Sequence, residues 1–122
     1  MSAALNSLAG PLILLLAAGC GPDQAERDAG DLEKARRREG LLLTGRGVLF
    51  LQQGRPQRAL PILREAVEKN PDAAEAHFNL GLAYSRLDRP AEAAATFARA
   101  LELAPPTPER CFALGIALRA LR

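Results

Sequence analysis

The side chains that could carry chemistry are few and scattered. His77 is the single histidine, and Cys20 and Cys111 are the two cysteines. The one histidine, read as a helix-packing residue, leaves no Ser/His/acid relay to assemble, and no Cys/His spacing suits zinc. The chain has no Gly-rich phosphate loop followed by Lys and no acidic calcium loop. His77 lies among apolar residues at helical spacing, where helix packing is its simplest role. Cys111 stands on a similar apolar face and reads as a buried, inert thiol. Glu26, Asp28, Asp31 and Glu33 form an acidic stretch, and Arg36-Arg37-Arg38 lie between Glu33 and Glu39. Mixed charges of this kind read as the solvated face of a helix. A net charge of +2 with interleaved signs gives no basic stripe for nucleic acid. The residues therefore imply no catalytic group, metal, cofactor or small-molecule substrate.

The N-terminus follows a different logic. Leu8 to Ala18 is an apolar run broken by Pro11. It is too short for a bilayer, which needs ~20 apolar residues, but it has the length of a secretory h-region. Small residues follow, and then a thiol. Leu16-Ala17-Ala18-Gly19-Cys20 resembles the lipobox of bacterial lipoproteins, although Ala17 stands where Leu is commonest and Met1 to Gly10 lacks Lys and Arg. The resemblance implies a signal peptide over 1–19, lipidation of Cys20 and a lipid-anchored place in the cell envelope. In a cell with two membranes that is the outer membrane, facing the periplasm, since Gly21 and not Asp follows the cysteine. A cleaved secreted form and a cytoplasmic protein with an incidental apolar N-terminus stay open. Residues 20–30 are polar and read as a flexible tether.

The elements behind these residues come from an internal repeat. Shifted by 34 positions, Gly47, Gly81 and Gly115 coincide, as do Phe50, Tyr84 and Leu118. Ala59 falls on Ala93, Leu63 on Phe97, Ala66 on Ala100, Arg55-Pro56 on Arg89-Pro90 and Pro71 on Pro105. Small residues at fixed places let helix axes approach, and the bulky ones fill the volume between them. Glycine within a helix costs about 1 kcal/mol against alanine, so its recurrence implies a packing need. The punctuation predicts helices at about 32–53, 57–69, 73–87, 91–103 and 108–121. Asp72, with Glu75 three residues on, is the expected cap of the third helix. Thr107, followed by Pro108, is the expected cap of the fifth.

Leu80-Gly81, Tyr84, Ala93, Phe97, Ala100 and Pro105 closely resemble the signature of the tetratricopeptide-repeat (TPR) family, with His77 where Trp is often found. The likeness covers residues 40–122. It implies an all-α solenoid of antiparallel helix pairs with about two and a half units, at 40–73, 74–107 and a partial 108–122. These units fall in a domain spanning 31–122. Arg46 departs from the usual Leu before Gly47.

In this family the first helices of successive units line a concave groove that binds another polypeptide. By that resemblance the groove residues are Val48, Leu51, Phe78, Asn79, Leu82, Arg86, Phe112, Ile116 and Arg119. Phe78 and Phe112 would be the anchors. Relatives that grip acidic C-termini use a Lys/Asn/Arg clamp. Only Asn79 fits it here; Thr44, Val48, Glu109 and Ala113 do not. The implied role is a protein-interaction scaffold without enzymatic activity, resembling lipoprotein assembly factors of the cell envelope. Two alternatives remain, a subunit of a larger complex and a cytoplasmic adaptor, each with its apolar groove permanently covered. Two and a half units make a small core, so marginal stability or self-association is expected.

Overall fold

A computed structural model describes residues 22–122. The signal-like segment and Cys20 lie outside the described residues. Five helices account for nearly all of the described chain: α1 (Pro22–Gln52), α2 (Pro56–Lys69), α3 (Ala74–Arg86), α4 (Pro90–Leu103) and α5 (Pro108–Ala120). No strand is found among the described residues, and no described helix is long and apolar enough to cross a membrane. The fold is an all-α solenoid. The described residues fall into two units, 22–35 and 36–122.

The first unit contributes the start of α1. Helix begins at Pro22, well before the start expected from the punctuation, so the described part of the expected tether is helical. The local chemistry accounts for it. Proline suits a first helical position, Asp23 places negative charge in the first turn, and the Gln24 amide donates to Asp28 at 3.0 Å. Asp31 and Lys34 pair at 3.9 Å, one turn apart. Residues 23–35 are exposed throughout.

In the second unit, two helical reversals are built alike. Gly54 and Asp88, which stand one repeat apart, hold φ values of 71° and 58°. The amide of Arg55 donates to the Phe50 carbonyl at 2.8 Å and that of Arg89 to Tyr84 at 2.9 Å. Gly54 and Asp88 in turn donate to Leu51 and Ser85 at 3.1 and 3.2 Å. This is a Schellman closure, with its left-handed residue after the helix. Pro56 and Pro90 then open the next helices with φ already set.

Helix α3 departs from expectation at its start. Ala73, not Asp72, occupies the cap, and no side chain caps the helix. Asp72 belongs to a turn closed by Ala73 donating to Asn70 at 3.2 Å, which leaves it one residue too early. At α5 the expectation holds: Thr107 accepts from the Arg110 amide at 3.3 Å.

The core forms where bulky side chains meet the repeated glycines. Leu63 sits against Gly47, and Phe97 against Gly81, where an added Cβ would be 2.5 Å from Phe97 Cε1. Both large side chains are almost wholly buried, each contributing about 1.5–3 kcal/mol of burial. Ala59, Ala66, Ala93 and Ala100 are fully buried around them, which allows close helix approach. Arg64 joins three helices: its Nε donates to the Tyr84 hydroxyl at 3.0 Å, its guanidinium lies over that ring, and Glu92 is 4.0 Å away. The Tyr84 hydroxyl bond is the main cause raising the Arg64 pKa.

Candidate functional site

Helices α3 and α5 stand side by side as first helices of successive units. Phe78 and Phe112 stand at equivalent places, as do Leu82 and Ile116, and together they put four of the expected groove residues around one cleft. Phe78 and Leu82 come from α3, Phe112 and Ile116 from α5. Its volume is about 310 Å³. Phe97 closes it from α4, with its ring centroid 5.5 Å from that of Phe78. Ala113, Ser85 and Glu109 complete the lining, the last two as its polar members.

Exposure differs along this surface. Phe78 and Leu82 are half-buried, whereas Phe112 is 71% exposed and Ile116 49%. A side chain as large as phenylalanine in water is apolar area that a partner would remove from solvent, worth about 25 cal/mol per Å² covered. The chemistry that this apolar cleft offers is contact and shape. No group of His, Cys, Asp and Glu among the described residues is arranged to hold a metal ion.

The remaining expected residues are placed elsewhere. Leu51 is 4% exposed and belongs to the core, because Ala59, Leu63 and Tyr84 share its cluster. It is not available as a groove wall. Val48 is half-buried on α1. Asn79 is 8% exposed, and its amide donates back to the Glu75 carbonyl at 2.9 Å. Arg86 reaches across to donate to the Leu51 carbonyl, which also accepts from the Gly54 amide in the turn after α1. Arg119 is exposed on α5, outside that cleft but sharing a shallow depression with Phe112, Gly115 and Ile116.

Phe97 is legible in the sequence as filler for the Gly81 contact, but not as part of the cleft. The rest of the cleft wall comes from α3 and α5, and no local spacing relates a residue of α4 to both.

His77 takes the packing role expected of it, buried and with Nε2 donating to the Pro71 carbonyl at 2.9 Å. Cys111, its counterpart one repeat later, corrects the expectation of a buried thiol. It is exposed, because no described helix covers that face of α5.

The comparisons with known proteins agree with this architecture. The family model described as tetratricopeptide repeat matches residues 44–108. No curated protein matches the chain by sequence. Among solved structures, a mutant of MamA is 26% identical with a TM-score of 0.64, covering 79% of this chain and 72% of its own. The crystal structure of a tetratricopeptide repeat domain protein from Salinibacter ruber is 29% identical, with a TM-score of 0.55 over 67% of this chain and 94% of that one. A solution structure of a tetratricopeptide repeat domain protein from Salinibacter ruber is 30% identical at a TM-score of 0.54, covering 68% and 87%. Recurring helix pairs, glycine contacts filled by Leu63 and Phe97, and the family match over 44–108 make this chain a member of the tetratricopeptide-repeat family.

Proposed function

We propose that the chain is a protein-interaction scaffold that seats a segment of another polypeptide in the cleft between α3 and α5, and that lipid on Cys20 holds it to a membrane of the cell envelope. The observation that carries the first half is the juxtaposition of Phe78, Leu82, Phe112 and Ile116 around a cleft of about 310 Å³. Apolar grooves of this form accept amphipathic or extended segments, with aromatic side chains as anchors. Support for the second half is the lipobox-like Leu16-Ala17-Ala18-Gly19-Cys20. One acyl chain anchors only marginally, and the several chains of a lipoprotein hold stably.

One affinity experiment addresses both halves. The protein is captured from cells with its bound partners, beside Phe78→Ala, Phe112→Ala and Cys20→Ser forms grown with labelled palmitate. The expected outcome is partner recovery at least ~tenfold lower for the Phe variants, and loss of label with Cys20→Ser. Unchanged partners would remove the cleft as the binding surface, and unchanged labelling would remove the anchor.

A second reading, a permanent subunit of a larger assembly, has its own observation. Leu42 and Leu49 on α1 are 75% and 56% exposed, whereas their counterparts Ala76 and Ala83 are buried. An apolar face that one repeat buries and another leaves in water suits a permanent neighbour. Recovery of the partner in fixed stoichiometry through stringent washing favours this reading.

A further inference from the structure

Within the second unit, the outer face of α1 differs from the faces that stand in its place one and two repeats later. Position 49 recurs as Ala83 in α3 and Ala117 in α5, each almost fully buried where the preceding helix, α2 or α4, packs on it. Alanine there lets the helix axes approach closely. In α1 the same position is Leu49, 56% exposed, and Leu42, the counterpart of the buried Ala76, is 75% exposed. Two projecting leucines obstruct a helix packed at the distance that alanine allows. The chain leading into this segment is α1 itself, helical from Pro22, so no described helix precedes it to pack there. The face is shaped for an occupant other than a further repeat helix.

We infer that a second copy of this chain occupies it, with the two α1 helices packed antiparallel about a two-fold axis beside Leu42. The charge pattern argues for this occupant. Glu39 and Arg46 stand seven residues apart, about two turns, and so share one edge of the leucine stripe. Leu42 lies nearly half-way between them. A two-fold axis there sets Glu39 of each copy opposite Arg46 of the other, forming the same pair twice. A parallel pairing would instead oppose glutamate to glutamate and arginine to arginine.

Both charged groups are placed for this. Glu39 lies 3.4 Å from Lys69 Nζ, which steadies it, yet its side chain is 52% exposed. A carboxylate has lone pairs enough for both cations. Arg46 is exposed on the same edge. On the opposite edge Arg38 passes Gly45 of the other copy, where no Cβ stands in its way; within one chain, nothing lies within 4 Å of that position. Leu42 then meets its own image across the axis, and Leu49 extends the apolar contact to either side. This names the neighbour that the second reading leaves open, and it does not depend on the cleft between α3 and α5.

Sedimentation equilibrium of the full-length protein, in density-matched detergent, should show a reversible monomer–dimer equilibrium. Arg46→Glu should weaken the dimer at least ~tenfold, because glutamate then faces Glu39. Combining it with Glu39→Arg should restore the dimer, since the pair is only inverted. Phe78→Ala and Phe112→Ala should dimerise unchanged, which separates this result from any failure of the cleft. Mild oxidation supplies a second readout in a Cys20→Ser, Cys111→Ser background. Leu42→Cys should form a disulfide-linked dimer, and Leu41→Cys, exposed on another side of α1, should not. A monomer would overturn the inference and leave the face to residues 1–21 or to a different protein. So would a dimer indifferent to Arg46→Glu, one that the double reversal does not restore, or equal crosslinking at positions 41 and 42.

Discussion

A Cβ placed on Gly81 would stand 2.5 Å from Cε1 of Phe97 and 3.0 Å from its Cζ, closer than packed atoms tolerate. Phe97 is 1% exposed, so an added methyl would have to push it toward Phe78 and the cleft that it closes. At Gly115 the same addition meets nothing within 4 Å. Alanine is therefore expected to act in opposite directions at two positions of one register. Gly81→Ala should lower stability by about 1–3 kcal/mol through overpacking, even though alanine is the better helix former. Gly115→Ala should raise it by up to ~1 kcal/mol, because propensity acts there without a clash. Urea unfolding followed by circular dichroism checks both, and a common sign for the pair would contradict the packing account. The recurrence of glycine was plain in the sequence. Its different surroundings at Gly115 follow from a third unit that is already partial in the sequence, 108–122.

At the scale of single helices, α3 and α5 offer a matched comparison. Their cap positions, Ala73 and Thr107, are equivalent in the repeat, and only Thr107 supplies a side-chain acceptor. Ala73→Thr should add the missing bond and stabilise the protein by about 1 kcal/mol, visible as a raised Tm. No change would mean that the turn holds the backbone in a conformation the hydroxyl cannot reach. The cap at Thr107 was readable because Thr-Pro is an unambiguous start, and the turns at Gly54 and Asp88 because each stands before Arg-Pro. The cap at Ala73 was not readable, because Asp72 has the right chemistry one residue too early. The start of α1 also escaped, since a polar composition that suits a tether contains the same Ala, Glu and Arg that suit a helix. Two of the expected groove residues show a similar limit. Leu51 and Asn79 are on the projected face by register, yet each is almost fully buried, and helical projection does not say how deep a neighbour packs.

Across the whole repeat unit, cohesion is graded along the chain. Helices α3 and α4 hold many buried residues between them, from Ala76 and Leu80 to Phe97 and Ala100, while α5 buries only Ala117. Local opening follows buried contact, so backbone amides of α5 should exchange with solvent fastest among α3, α4 and α5, and those of α3 and α4 slowest. Hydrogen exchange read by mass spectrometry checks this order; equal protection in α5 would show that something covers it. The order of helices was legible from periodicity and the family from the resemblance of its signature residues, whereas this gradient depends on which faces meet.

The paired reversals at Gly54 and Asp88 carry a consequence for how such a molecule can change. Each reversal uses the same backbone closure and is followed by the same Arg-Pro, so the two helices within each unit are joined by one interchangeable coupling, and a cassette cut from one reversal to the next has matching ends. Duplication of a single cassette would then insert another module without redesigning its flanks, and descendants could adjust their reach in steps of fixed length.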